Sequence, residues 1–197
     1  MSQIIEAMSD TELLGMLVGI NTASQLLRST NGSLSKLLYE CLPACDVRPR
    51  VRTKLRVATE LVRRSLVEPM RQRDVLSSPA SVRDYLRMTL AGRDYEVFMV
   101  LFLDAQHRVL ESEEMFRGTL TQTSVYPREV VKRSLVNNAA AVIFAHNHPS
   151  GVAQPSHADE LLTRSLKEAL ALVDVKVLDH FIVAGGSVMS FAERGLL

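Results

Sequence analysis

The segment AHNHPSG at Ala145–Gly151, followed by SHAD at Ser156–Asp159, decides the fold prediction for this chain. An apolar run, Ala139–Ala145, leads into it and predicts a buried β-strand. Side chains two residues apart in a strand point to the same face, so His146 and His148 can reach a single point. A proline then stops the strand. The sequence therefore predicts two imidazoles at the rim of a sheet.

A carboxylate follows at a distance that lets it join the two imidazoles. Ser156 opens the next helix, and Asp159 lies in the first turn of that helix, where it can face the strand end. His146, His148 and Asp159 would leave a tetrahedral zinc ion one position for water, which is typical of a catalytic site. Two alternatives remain. Histidines are common at loop mouths, and Ser156 and Asp159 can be a capping arrangement, which would also fix the direction of Asp159.

The second half of the chain has the pattern of a mixed α/β domain. Helices alternate with hairpin-linked strands, which predicts an α/β or α+β fold around a mixed sheet. The expected strands are Val97–Leu103, Val109 to Phe116, Ala139–Ala145, Val175–Leu178, Phe181–Val183 and Val188–Phe191, and the expected helices are Val82–Leu90, Pro127 to Leu135 and Ser156 to Leu170.

The first half of the chain has a helical pattern. Ser9 and Glu12 have the spacing of a capping box, and apolar residues follow at helical spacing. A later helix is expected from Pro49 to about Leu66, with a buried stripe made of Val51, Leu55, Ala58 and Val62. These features predict two domains: a small helical module at residues 1–74 and the α/β domain at residues 81–197.

Composition excludes several classes of protein. Apolar residues make up 47% of the chain, charged residues 23%, and the net charge is +1, which is the composition of a globular protein without a strong global field. The start does not resemble a signal peptide, and no apolar run reaches the roughly 20 residues that span a bilayer. Cys41 and Cys45 are expected to be reduced thiols. We therefore expect a cytoplasmic protein without a membrane partner.

One stretch is locally basic. Nine Lys or Arg residues lie between Arg48 and Arg73, against two acids. Arg52, Arg56 and Arg63 would share one side of a helix and can contact phosphates, which leaves weak, non-specific DNA contact as one interpretation. The other interpretation is a solvated helix face.

The spacing His-x-His-x7-Ser-x-x-Asp is the JAMM signature, and this chain resembles it at every ligand position. Further segments are similar to the RadC family of bacterial proteins over roughly Ser81 to Leu197, and more weakly over Ser9 to Arg64. These segments are Glu96–Asp104 (EVFMVLFLD), Phe116–Thr119 (FRGT), Val125–Arg133 (VYPREVVKR), Ala145–Gly151 (AHNHPSG), Leu178–Val183 (LDHFIV) and Ser190–Leu197 (SFAERGLL).

The resemblance implies an MPN/JAB-type (cytidine deaminase-like) domain behind a helix-hairpin-helix-like module. It implies Zn²⁺ held by His146, His148 and Asp159, with Ser156 stabilising the oxyanion of the reaction. A glutamate accepts a proton from the zinc-bound water in this class, and Glu96 matches it by opening the strand Val97–Leu103. Glu129, early in a helix, is the competing candidate.

Two functions therefore stay open. The first is a zinc-dependent metallopeptidase or isopeptidase-like hydrolase with an unknown peptide or protein substrate. The second is a DNA-associated accessory protein of repair or recombination that uses the JAMM fold as a scaffold. Against the second, the Gly-x-Gly hairpin of helix-hairpin-helix units is replaced by Cys41 to Val47. Asp179 and His180 can support the metal site, contact substrate, or be buried between two strands.

Overall fold

The computed structural model describes residues 5–39, 48–118 and 125–197 of the chain. The chain divides into two compact units, Met1–Arg63 and Arg64–Leu197. Both cysteines, the segment that replaces the Gly-x-Gly hairpin, and Thr119 lie outside the described residues. Among the described residues, no helix combines the length and the apolar character that a membrane crossing requires.

The first unit is helical, and its last helix continues past Arg63 into the second unit. Helix α1 (Asp10–Val18) begins at the capping box of Ser9 and Glu12, as the sequence predicts, and ends at Gly19 with φ +91°. Helices α2 (Ile20–Ser29), α3 (Leu34–Tyr39) and α4 (Pro49–Gln72) follow. Their buried core consists of aliphatic side chains: Leu14, Ala23, Leu26, Leu27, Leu37, Val51 and Leu55.

Helix α4 differs from the sequence prediction in two respects. It continues to Gln72 instead of ending near Leu66. Its expected buried stripe also stops early, because Val62 is 48% exposed although Val51 and Leu55 are buried. The core cluster of the first unit includes Val51 and Leu55 but not Val62. Helical periodicity therefore identified the inner face of α4 but not how far along the helix that face is covered.

The second unit contains a five-stranded mixed sheet in the order β2-β1-β3-β4-β5. The strands are β1 (Val97–Leu103), β2 (Val109–Arg117), β3 (Ala141–Asn147), β4 (Lys176–Ala184) and β5 (Ser187–Ser190). All neighbouring pairs are antiparallel except β3 and β4, which are parallel. The two strands expected at 175–178 and 181–183 are one continuous strand, β4. The second unit also contains three helices, α5 (Pro79–Leu90), α6 (Pro127–Val136) and α7 (His157–Ala171). A short 3₁₀ turn, Val75–Ser77, precedes α5. The predicted α/β class is thus confirmed.

The centre of the sheet forms the main core. Strands β1 and β3 are buried along their whole length, as their unbroken apolar sequences predict. Phe98, Phe102, Val142 and Phe144 from these strands pack with Leu166 and other residues of one cluster. This packing fixes the register of β3, in which His146 lies opposite Phe98 of β1 and Ile182 of β4. The histidine pair therefore lies at the end of a fully buried central strand of the sheet.

Candidate metal centre

The end of β3 brings the two predicted histidines together. His146 lies in β3 and is 6% exposed. His148 is the first residue after this strand, and the backbone N–H of His148 donates to Val183 O at 2.9 Å. The chain then turns at Gly151, which has φ +80°, a conformation that favours glycine. The Nε2 atoms of His146 and His148 lie 2.9 Å apart. The same-face argument from strand geometry thus describes this pair correctly.

Asp159 is directed toward the pair by a helix cap. The Ser156 N–H and Oγ–H both donate to Asp159 Oδ2 at 2.7 Å, and the Asp159 N–H donates back to Ser156 Oγ at 3.2 Å. This is a complete capping box at the start of α7. It holds Asp159 Oδ1 3.3 Å from His146 Nε2 and Asp159 Oδ2 3.5 Å from His148 Nε2. The capping interpretation and the ligand interpretation of Ser-x-x-Asp therefore describe one arrangement.

The three side chains have the geometry of a metal site. Zinc bonds to nitrogen and oxygen of about 2.0–2.2 Å place tetrahedral ligand atoms roughly 3.3 Å apart. The separations of 2.9, 3.3 and 3.5 Å lie on either side of that value. Within the described part of the chain, this is the group of His, Cys, Asp and Glu side chains whose ligand atoms converge closely enough to hold an ion.

The hydrogen bond of His148 shows that its ligand atom can be free of a proton. His148 Nδ1 lies 2.8 Å from the carbonyl oxygen of Val152. A carbonyl oxygen only accepts, so Nδ1 carries the hydrogen and donates it. A neutral His148 then presents a bare Nε2, which is the form that binds a metal.

A buried chain of bonds gives the same result for His146. Thr163 Oγ1 lies 2.6 Å from both Asp159 O and His180 Nδ1, and His180 Nε2 lies 2.8 Å from His146 Nδ1. Asp159 O only accepts, so the single hydroxyl hydrogen of Thr163 goes to it. Thr163 Oγ1 must then accept from His180 Nδ1–H, and His180 Nε2 accepts from His146 Nδ1–H. His146 therefore also presents a bare Nε2.

The electrostatics of the group agree with this assignment. Complete burial holds the pKa of His180 well below its usual range, and His146 adds to that effect, so His180 is neutral and has the one hydrogen that the chain of bonds requires. Burial alone would raise the pKa of Asp159, but the hydrogen bonds that His146 and His148 donate when a proton occupies Nε2, with the positive charge of His146, outweigh burial and lower that pKa. A half-buried anion beside two bare imidazole nitrogens suits a divalent cation, so these residues fit zinc.

Glu96 is the residue immediately before β1. In the antiparallel ladder Phe98 pairs with His146. The paired residues end there, and continuing the same register by two residues would set Glu96 opposite His148, on the same face. The pKa of His148 is raised, mainly by its hydrogen bond with Asp159, and Glu96 contributes in the same direction.

Glu129, the competing candidate, lies in the first turn of α6. Its side chain is 39% exposed, and its carboxylate pairs with the neighbouring Arg128 at 3.2 Å. It is not among the groups that raise the pKa of His148. The register and the electrostatic contact therefore favour Glu96 over Glu129.

Sequence reasoning left His180 between three interpretations and missed two other residues. His180 is completely buried and bonds to His146, which favours support of His146 over contact with a substrate. Thr163 lies one helical turn beyond Asp159, a spacing that could have identified it. Asn147, between the two histidines, is 2% exposed, and a buried amide in an apolar strand was the available signal.

Comparison with known proteins gives a consistent family. The sequence model of the RadC-like JAB domain matches residues 76–196. A UPF0758 protein of Nitrosomonas eutropha is 54% identical over 201 residues, covering 96% of this chain and 90% of the relative. Another, from Methylibium petroleiphilum, is 55% identical over 202 residues, covering 97% of this chain and 91% of the relative. A third, from Thiobacillus denitrificans, is 65% identical over 143 residues, covering 73% and 64%.

Proposed function

Because this chain belongs to the RadC-like JAB domain family, we propose that it is a zinc-dependent hydrolase that cleaves an amide bond in a peptide or protein. The observation that carries the proposal is the convergence of His146 Nε2, His148 Nε2 and an Asp159 carboxylate, with both imidazoles hydrogen-bonded through Nδ1. A purely structural histidine pair has no need for two bare nitrogens that face one carboxylate.

Each residue of the site has a distinct role in this proposal. His146, His148 and Asp159 would hold a zinc ion, which would act as a Lewis acid and bring the pKa of a water at the site to about 7. Glu96 accepts the proton from the attacking water and passes it to the leaving amine, which is general base and then general acid catalysis. Ser156 donates its hydroxyl hydrogen to the oxygen of the scissile carbonyl as negative charge develops there.

The role of Ser156 requires a rearrangement. Its hydroxyl hydrogen is donated to Asp159 Oδ2, which also accepts the Ser156 backbone N–H. The backbone N–H can keep the helix cap while the hydroxyl turns to a substrate oxygen. Ser156 is exposed, so a substrate can reach the hydroxyl. Loss of one oxyanion donor costs about 10²–10³-fold in kcat, and Ser156→Ala should therefore reduce turnover without removing zinc.

Metal analysis combined with an unbiased peptide-cleavage profile tests the proposal. The unchanged protein should contain one zinc ion per chain, and the double variant His146→Ala/His148→Ala should contain none. Glu96→Gln should retain zinc but lose about 10²–10⁴-fold in rate, because it removes a proton acceptor and not a ligand. Glu129→Gln is the matched control and should retain both properties. An inactive Glu129→Gln beside an active Glu96→Gln would show that the base is wrongly assigned, and zinc held at other residues would refute the site.

The second candidate is a DNA-associated accessory protein of repair or recombination in which the JAB fold serves as a scaffold. The observation in its favour is the surface of α4, where Arg50, Arg52 and Arg56 are exposed and can contact phosphates. Arg63 is less suited to this role, since it forms a bidentate ion pair with Glu60 at 2.8 and 2.9 Å. This candidate predicts nucleic-acid binding that does not depend on the zinc ligands.

A further inference from the structure

Asn147 is the polar residue between the two histidines, at the last position of β3. It is 2% exposed, so its side-chain amide is removed from water and requires hydrogen-bond partners inside the protein. Its position in the strand alternates with His146 and His148, so it is not directed to the metal centre. The partners that it finds are Val97, the first residue of β1, and Tyr95, two residues before it.

The amide of Asn147 bonds to the backbone on both sides of Glu96. Asn147 Oδ1 accepts the N–H of Val97 at 2.8 Å, and Asn147 Nδ2 donates to the carbonyl oxygen of Tyr95 at 2.9 Å. The regular pairing of β1 with β3 ends at Phe98 and His146. Beyond that pair, the Asn147 side chain makes the hydrogen bonds that a strand backbone would otherwise make, to the residues immediately before and after Glu96.

The other side of Glu96 is held as well. The backbone N–H of Gly118, just after β2, donates to the carbonyl oxygen of Glu96 at 2.9 Å. Glu96 therefore lies between two supports although it precedes the first residue of β1. Of these supports, Asn147 is the one that comes from the strand that carries His146.

We propose that Asn147 is a positioning residue for Glu96, whose backbone it fixes so that the carboxylate faces the metal centre. This inference rests on the proposed function, in which Glu96 is the general base. Asn147 makes one rigid link between the strand that carries the ligands and the strand that carries the base. A displacement of about 1 Å at such a group can cost 10²-fold in rate, so the link matters although Asn147 touches neither metal nor substrate.

Two variants and one control test the proposal in the full chain. Asn147→Ala removes both hydrogen bonds, and Asn147→Asp keeps the acceptor for Val97 N–H but loses the donor to Tyr95 O. Ile143→Val, on the same strand and 2% exposed, removes only a methyl group and controls for general destabilisation. In Asn147→Ala, amide exchange measured by NMR should accelerate at Val97 relative to Val100, whereas the control should change both alike.

Cobalt(II) alone serves as the probe for the position of the carboxylate. Its paramagnetism broadens nearby ¹³C-labelled glutamate carboxyl signals, and Glu96→Gln identifies the signal of Glu96. We expect Asn147→Ala to bind cobalt as tightly as the unchanged protein and to show weaker broadening of the Glu96 signal. Unchanged broadening would overturn the proposal. A lower cobalt affinity in Asn147→Ala than in Ile143→Val would also overturn it, because Asn147 would then support the ligands and not Glu96.

Turnover provides the last arm of the test. If the protein hydrolyses a peptide, Asn147→Ala should lower kcat by about 10²-fold, and Asn147→Ala/Glu96→Gln should be no slower than Glu96→Gln alone. Additive losses would contradict action through Glu96. If the unchanged protein hydrolyses nothing, the proposed function fails, but amide exchange and cobalt broadening still decide whether Asn147 positions Glu96.

Discussion

Replacement of Thr163 by valine tests the chain of hydrogen bonds behind His146. The substitution keeps the branched shape of the side chain in α7 and removes only Oγ1. Asp159 O loses one of the hydrogen bonds that it accepts, which is a small change for a helix carbonyl. His180 Nδ1–H, however, loses the acceptor that lies 2.6 Å away, at a residue that is fully buried.

The cost can be estimated from the two states open to His180. If Nδ1 keeps its hydrogen, a buried donor is left unsatisfied, which lowers the free energy of unfolding by about 1–3 kcal/mol. If the hydrogen moves to Nε2, His180 donates to His146 Nδ1, and His146 must carry its own hydrogen on Nε2, where the metal binds. Loss of such support for a ligand typically lowers metal affinity about 10–100-fold.

Metal affinity and stability have to be measured on the same variants. Competition with a chromophoric chelator gives the zinc or cobalt Kd, and urea unfolding followed by far-UV circular dichroism gives the free energy of unfolding. Thr163→Ser keeps the hydroxyl and is the matched control, which should retain the affinity. A Thr163→Val protein with unchanged Kd and unchanged stability would refute the tautomer assignment for His146.

Three further predictions concern pH, nucleic acid and the loop after the histidines. The pKa of His148 is raised, mainly by its hydrogen bond with Asp159. Zinc affinity should therefore be highest above that pKa and should fall about tenfold per pH unit below it, because a proton then occupies Nε2. Metal titrations at a series of pH values measure this dependence. Any DNA binding should be salt-sensitive and independent of sequence in fluorescence anisotropy, and it should vanish without loss of zinc on charge reversal of three exposed arginines: Arg50, Arg52 and Arg56. Gly151→Ala should lower the free energy of unfolding by about 1–2 kcal/mol because its φ is +80°. Gly186→Ala, which has no such φ and no atom within 4 Å of the added Cβ, should be neutral.

Local rules predicted the parts of the fold that depend on neighbours in sequence. The unbroken apolar runs of β1 and β3 correspond to strands buried on both faces, and the capping box at Ser9 starts α1 as expected. The same-face rule for strands and the first-turn position of Asp159 correctly predicted that His146, His148 and Asp159 converge on a group that could hold a metal ion. These features need no knowledge of which strands are adjacent.

Contacts between distant segments were beyond local rules. Val62 continues the apolar stripe of α4 but is 48% exposed, since burial depends on what packs against the helix. Asn147 was not identified from the sequence, because its partners at Tyr95 and Val97 become neighbours only when β1 pairs with β3. His180 could not be assigned for the same reason, as its contact with His146 crosses from β4 to β3.

The capping box at the start of α7 links Ser156 to Asp159, three residues later, and thereby orients the Asp159 carboxylate. A carboxylate has about four lone-pair sites, so Asp159 can accept from the cap and still direct electron density toward a metal. Asp159 Oδ2 accepts the Ser156 N–H, whereas Asp159 Oδ1 faces His146 at 3.3 Å. The start of α7 therefore orients Asp159 without a metal, and in the proposed site less conformational freedom would be lost on metal binding. Conversely, a ligand that depends on a helix cap ties metal affinity to the integrity of that helix end. The backbone N–H of residue 156 remains a donor to Asp159 in every variant except proline. Substitutions at Ser156 should therefore weaken zinc binding only to the extent that they unfold the first turn of α7.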